Sequence, residues 1–259
     1  MSDMADGQAP SPTLIRVDEG VYRVGGTTFT AAPFERFAST PDHFCIVKPP
    51  LLVERYVSLI DELRPRRVVE LGICKGGSTA LLAALTRPDG LLAVELDGDR
   101  IEALDTFLAQ QGLDQSVTAA YGIDQANGER LGSLVDETLG REPLDLVVDD
   151  ASHDLDFTRA SFNVLFPRLR PGGLFIIEDW SWAHTVYEAA RPDAVPLTAL
   201  VFEAILAVPY RPGLIDDVLV NREWAVIRRG AGPLDPGEFD ISQCYGDRGR
   251  ALVTPLTSH

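Results

Sequence analysis

The sequence predicts an α/β fold: a doubly wound, mostly parallel sheet preceded by an N-terminal helical cap. Three observations carry this. Short runs rich in Val, Leu and Ile alternate with stretches whose apolar residues recur at helical spacing. Strands that alternate with helices build a parallel sheet covered on both faces. A glycine-rich turn, Gly72 to Gly77, follows the first of these strand-like runs and opens a helix-like one. The chain has 259 residues, 45% of them hydrophobic and 24% charged, which is enough apolar material for a large core.

The elements follow in order. Residues 1–12 are small, polar and proline-containing, and are expected to be disordered. Residues 13–49 form the cap, and the alternating stretch 13–30 with Gly25-Gly26 reads as a hairpin. The core domain spans 50–229. It opens with a helix at 50–63, a strand at 67–71 and a helix at 78–85. A strand at 91–96, a helix at 100–112, a strand at 116–122 and a helix at 129–140 come next. Then come a strand at 144–150, a helix at 155–169, a Pro-Gly-Gly turn and a strand at 174–179. A helix at 197–208 and an antiparallel pair within 215–228 complete it. The tail, 230–259, is rich in turn residues and has no assigned element.

Composition excludes several classes. The net charge is −16 and the pI about 4.6. Such a surface repels phosphate backbones and anionic headgroups, so neither nucleic acid nor a membrane is an expected partner. No apolar run reaches the length of a membrane span, and the N-terminus carries no leader-like apolar segment. Three widely spaced cysteines, Cys45, Cys74 and Cys244, form no zinc pattern and fit a reducing cytoplasm. Nearly all basic residues are arginine; the lysines are Lys48 and Lys75.

In doubly wound sheets ligands bind beyond the carboxyl ends of the strands. The first strand ends in Glu70-Leu71-Gly72-Ile73-Cys74-Lys75-Gly76-Gly77-Ser78. Cys74 stands where a dinucleotide fingerprint needs its second glycine, which disfavours a nicotinamide oxidoreductase, and no Gly-Lys-Ser/Thr loop is present. The fourth strand ends in Asp149-Asp150-Ala151-Ser152-His153, and the fifth in Glu178-Asp179, followed by Trp180 and Trp182. Adjacent parallel strands bring Asp150, Glu178 and Asp179 together. Clustered carboxylates repel one another, and a hard cation, Mg²⁺ or Mn²⁺, relieves that repulsion. The structural alternative is helix capping by Asp150 or Ser152, and Ser152 is expected to cap.

The Glu70-x-Gly72-x-x-x-Gly76-Gly77 turn resembles the first motif of class I S-adenosylmethionine-dependent methyltransferases, over roughly residues 50–229. That resemblance implies their Rossmann-like fold and S-adenosylmethionine as cofactor. It places Glu70, Gly72, Gly76, Ser78 and Asp149 on the cofactor, Glu95 on its ribose hydroxyls, and Asp124 and Gln125 near adenine. A narrower resemblance lies in Asp150-x-x-His153 and Glu178-Asp179. These resemble the metal-dependent sugar O-methyltransferases of macrolide biosynthesis. Catechol O-methyltransferases carry a lysine where His153 stands, so the histidine favours the sugar group. The implied roles are metal ligation by Asp150, Glu178 and Asp179, and a general base at His153 assisted by Asp150. The implied acceptor is a hydroxyl of a glycoside or oligosaccharide, and the implied assembly is a homodimer or larger homo-oligomer.

The chemistry fits these residue types. A sugar hydroxyl is a weak acid; a metal increases its acidity, and histidine titrates where it can take the proton. Acceptor contacts are expected from Trp180, Trp182 and His184, since aromatic faces stack on sugar C–H faces. Trp180–Tyr187 and residues 37–48, with His43, Phe44 and Lys48, are the expected acceptor-side segments. Two other functions remain open on sequence alone. One is methylation of a catechol or other phenol. The other is a non-catalytic S-adenosylmethionine-binding accessory protein, against which the intact Asp150, His153, Glu178 and Asp179 speak.

Overall fold

The seven-stranded sheet is wound outward from β5 (Arg67–Leu71), with two strands on one side and four on the other. The computed structural model describes residues 13–33, 37–185 and 195–257; the expectation for residues 1–12 lies outside them. To one side of β5 run β6 (Gly90–Val94) and β7 (Val117–Ala120). To the other run β8 (Leu144–Asp149), β9 (Leu169–Glu178), β11 (Trp224–Arg229) and β10 (Ile215–Val220). All pairings are parallel except those of β11 with β9 and β10.

Alternation along each strand sends neighbouring side chains to opposite faces. Val68, Leu91, Leu146 and Ile176 pack with α1 (Pro50–Leu63), α2 (Gly77–Thr86) and α3 (Glu102–Gln111). Val69, Leu92, Val147 and Phe175 pack with α4 (Gly128–Leu139), α5 (Leu155–Leu165) and α6 (Thr198–Tyr210). No helix among the described residues is long and apolar enough to cross a membrane.

Several boundaries differ from the sequence reading. The cap is not helical. Its body is a four-stranded sheet, β1 (Leu14–Asp18), β2 (Val21–Val24), β3 (Thr27–Ala31) and β4 (His43–Ile46), followed by α1. Alternation explains it: Tyr22, Val24 and Phe29 are buried, while Arg23 between them is exposed. The helix expected to reach residue 169 ends at Leu165, because Pro167 has no N–H to continue it, and a short 3₁₀ turn follows. The Pro-Gly-Gly segment is absorbed into β9 as an irregularity in its pairing with β8.

The cap of α5 is Asp154, whose side chain accepts from the Asp156 N–H, in place of the expected Ser152. Ser152 Oγ accepts from the Asp154 N–H one step earlier. The unassigned tail ends in α7 (Asp247–Thr257). It is tied to α6 by Tyr245, whose hydroxyl donates to buried Glu203 at 3.0 Å.

Candidate active site

The carboxyl ends of β5, β8 and β9 meet at the point where the winding reverses. Backbone crowding there is severe. A Cβ on Gly72, which sits at φ 94°, would lie 2.3 Å from the Asp150 carbonyl oxygen. The glycine therefore lets the β5 turn lie directly against the β8 turn. Gly77 answers a different need. A Cβ there would lie 1.9 Å from the carbonyl oxygen of Cys45 in β4, so this glycine admits the cap and not a ligand.

Five described non-glycine residues have positive φ. Arg64 and Arg87 are helix C-caps, where that geometry is routine. The other three, Cys74 (51°), His153 (53°) and Asp179 (52°), follow β5, β8 and β9. Strained backbone gathered at strand ends marks a functional site.

Asp150, His153 and Asp179 each present a ligand atom within 4.8 Å of the others. His153 Nε2 faces Asp150 Oδ1 at 3.9 Å, and the ring also bonds the Glu178 backbone. Burial holds the imidazole below its usual pKa, outweighing the pull of Asp150, which favours the uncharged ring. Burial and the charge of Asp150 push the Asp179 carboxyl up to about 7. Trp182 lies against His153 with ring centroids 4.4 Å apart, and its side chain hydrogen-bonds Asp179.

Glu178 stands apart from that trio. It is 2% exposed and accepts from Lys48 Nζ at 2.8 Å on both oxygens and from the Tyr56 hydroxyl at 2.6 Å. Lys48 also bonds Asp150 Oδ2. Burial alone would lower the Lys48 pKa, but the two carboxylates outweigh it and hold the ammonium charged. Burial and Asp150 push the Glu178 carboxyl upward, while Lys48 and Tyr56 oppose that push. Donors at this density are what an ionised carboxylate gathers, so we assign an ion pair.

A cleft of about 360 Å³ runs from this cluster past Gly72, Glu95, Leu96, Asp124 and Gln125. Glu95 ties it together: Oε2 accepts from the N–H groups of Ile73 and Cys74 at 3.0 and 2.9 Å, and Oε1 from that of Leu96 at 2.8 Å. Asp124 is exposed at the rim and caps its own turn through the Ala126 N–H. Gln125, which lines the cleft, and Asp149 are paired with each other. Gln125 Nε2 donates to Asp149 at 3.0 Å, Ser161 Oγ donates to Asp149 at 2.7 Å, and Gln125 Oε1 accepts from the Ser152 N–H. Burial pushes Asp149 up to about 6 against these bonds. Glu70 is likewise interior: it accepts from Thr79 Oγ1 at 2.6 Å and from Ser78, and burial pushes it up to about 7. Gly76 is the left-handed N-cap of α2.

Of the three expected acceptor contacts, only Trp182 adjoins the cluster. Trp180 donates through Nε1 to the Asn221 carbonyl at 2.7 Å and packs on the core, and His184 Nε2 is paired with Thr198 Oγ1 at 2.5 Å. Val186 and Tyr187 lie outside the described residues. Sequence alone puts Lys48 in an acceptor-side segment but does not show its place in the cluster, and it does not single out Tyr56. One signal was available: Lys48 is one of two lysines among 23 basic residues. Its ammonium has three N–H donors, which meet oxygens of Glu178 and Asp150.

The strand order and the glycine turn at the switch point resemble those of class I S-adenosylmethionine-dependent methyltransferases. Residues 69–180 match the family model described as a methyltransferase domain. The chain resembles demethylmacrocin O-methyltransferase of Streptomyces fradiae, 42% identical over 79 residues, which are 30% of this chain and 19% of that protein. It also resembles the 8-demethyl-8-(2-methoxy-alpha-L-rhamnosyl)-tetracenomycin-C 3'-O-methyltransferase of Streptomyces olivaceus. That match is 31% identical over 167 residues, 62% of this chain and 38% of the relative. Both matches span less than half of the relative's length. Among solved structures, the MycE methyltransferase of the mycinamycin pathway, in complex with Mg, SAH and mycinamycin VI, superposes with a TM-score of 0.53. It is 23% identical, over 68% of this chain and 49% of that one, a likeness of fold.

Proposed function

We propose that this chain transfers the methyl group of S-adenosylmethionine to a hydroxyl of a glycoside or oligosaccharide, and that the reaction requires Mg²⁺ or Mn²⁺. The observation that carries the reading is the convergence of Asp150, His153 and Asp179 at the rim of the cleft bounded by Gly72 and Glu95. Two half-buried carboxylates that repel each other, with an imidazole beside them, suit a divalent cation. The Streptomyces olivaceus relative is named for O-methylation of a rhamnosyl-tetracenomycin, which supports the acceptor class.

Asp150 and Asp179 would hold the cation. When bound, it would make a coordinated sugar hydroxyl more acidic. Neutral His153 accepts the hydroxyl proton as the oxygen attacks the sulfonium methyl, and S-adenosylhomocysteine leaves with the electron pair of the broken S–C bond. Trp182 holds the imidazole from one side and offers the sugar an aromatic surface beside the reacting oxygen. The cleft walls orient the methyl group, which is catalysis by position.

The test is methyl transfer from S-adenosylmethionine to a panel of glycosides, with Mg²⁺ or with chelator, read by mass spectrometry. Methylated glycoside with metal alone supports the proposal. No transfer to any glycoside, or full transfer in chelator, overturns the acceptor or the metal part respectively. Within an active pair, His153→Ala is expected to lower kcat by roughly 10²–10⁴-fold. An unchanged kcat would remove His153 as base.

A further inference from the structure

Lys48 belongs to the cap, yet its charge lies inside the carboxylate cluster. Three features make its position exceptional. It is 5% exposed, and its three N–H donors meet three carboxylate oxygens, one of Asp150 and both of Glu178. Its backbone is short-tethered: the Lys48 N–H donates to Ile46 O at the end of β4, and Pro49 caps α1 immediately afterwards. Its other side is a small hollow walled by Ile46, Val53, Leu81, Leu82 and Val148, with Glu70 and Ser78 also on its lining. The short tether and the buried head hold the ammonium on the two carboxylates.

We propose that Lys48 is a positioning residue, the cluster's resident cation, which takes Glu178 and one oxygen of Asp150 and so restrains the affinity of the site for a divalent metal. This rests on the metal reading above. The consequence follows from the two faces of Asp150. Oδ2 is committed to Lys48, while Oδ1 faces His153 at 3.9 Å. Asp150 thus joins an ammonium half, with Glu178 and Tyr56, to a metal half, with His153 and Asp179. An ammonium on the same carboxylate repels an incoming cation and withholds Glu178, which would otherwise be a third carboxylate ligand. A weak site exchanges its metal and acceptor readily; a three-carboxylate site would hold the metal tightly.

The experiment is Mn²⁺ binding to the purified protein, by titration calorimetry and electron paramagnetic resonance, for wild type, Lys48→Met and Lys48→Gln. Lys48→Gln keeps a hydrogen-bond donor and guards against a Lys48→Met protein that fails to fold. We expect both variants to bind Mn²⁺ at least ~10-fold more tightly than wild type, since a cationic neighbour is gone. We also expect their metal-free melting temperatures to lie below wild type and saturating Mn²⁺ to recover that loss, because ligand binding to the folded state stabilises it. Binding by the variants where wild type shows none would support the role of Lys48 and overturn the metal requirement instead. Variants that bind no better than wild type, whether or not wild type binds, overturn the proposal. A purely structural Lys48 would lower the melting temperature with no gain in Mn²⁺ affinity.

Discussion

Asp179→Asn is expected to abolish metal-dependent methyl transfer while leaving S-adenosylhomocysteine binding intact. Asparagine is the informative replacement because Asp179 sits at φ 52°, a conformation that asparagine tolerates and alanine does less well. The backbone is held independently of the side chain: its N–H donates to Glu223 O at 2.9 Å and its carbonyl accepts from the Trp182 N–H at 3.0 Å. The substitution thus removes a ligand charge and little else. Asp179 is absent from the cleft lining around Gly72 and Glu95, so cofactor affinity has no reason to change. The metal-free variant is further expected to melt above wild type, since burial and Asp150 both oppose the carboxylate charge. A residue kept for folding would show the opposite sign. Calorimetry with Mn²⁺ and with S-adenosylhomocysteine, beside a melting curve in chelator, checks all three. Unchanged Mn²⁺ affinity would exclude Asp179 from the metal site.

Most of the core was legible in the sequence because its signals are local. β5 was anticipated at its observed bounds, and the helices on both faces were anticipated within a few residues. The convergence of Asp150 with Asp179 follows from parallel register: Asp149 pairs with Ile177, so the two strands release their acidic ends side by side. What was hidden depends on contacts distant in sequence. The hairpin around Gly25-Gly26 was legible in the alternation of residues 13–30, but β4 pairs in parallel with β3 across a long connection, which leaves no local signature. The partners of Gln125, Asp149 and Glu70 were hidden for a related reason. Each lies near the cleft, but each finds a buried partner that only the folded chain supplies. Lys48 and Glu178 are 130 positions apart, and no spacing rule connects them.

The same long-range dependence sets the expected result for Gly77→Ala, a loss of stability of about 3 kcal/mol, at the upper end of the range for overpacking. The residue opens a buried helix, where alanine is intrinsically favoured over glycine by roughly 1 kcal/mol, so propensity alone predicts a gain. Geometry reverses the sign. The added Cβ would lie 1.9 Å from Cys45 O, 2.6 Å from Cys45 C and 3.0 Å from Ile46 N, all backbone atoms with no rotamer to change. β4 resists moving away. It is paired with β3 through Thr30–Cys45 and Ala31–Ile46, and Phe44 is wedged between Phe29 and Phe107 at 5.8 and 5.2 Å. Whatever displacement occurs passes directly to Val47 at the cleft and Lys48 at the carboxylates. At 2–4 °C per kcal/mol for a chain of this size, the melting temperature should fall by about 6–12 °C. Weakened Mn²⁺ and S-adenosylhomocysteine binding should accompany it. Gly26→Ala in the β2–β3 turn, where an added Cβ meets nothing within 4 Å, is the control and should change stability by no more than about 0.5 kcal/mol. If Gly77→Ala instead melts with the control, β4 is not seated on the first turn of α2. The path by which the cap delivers Lys48 to the site would then be wrong.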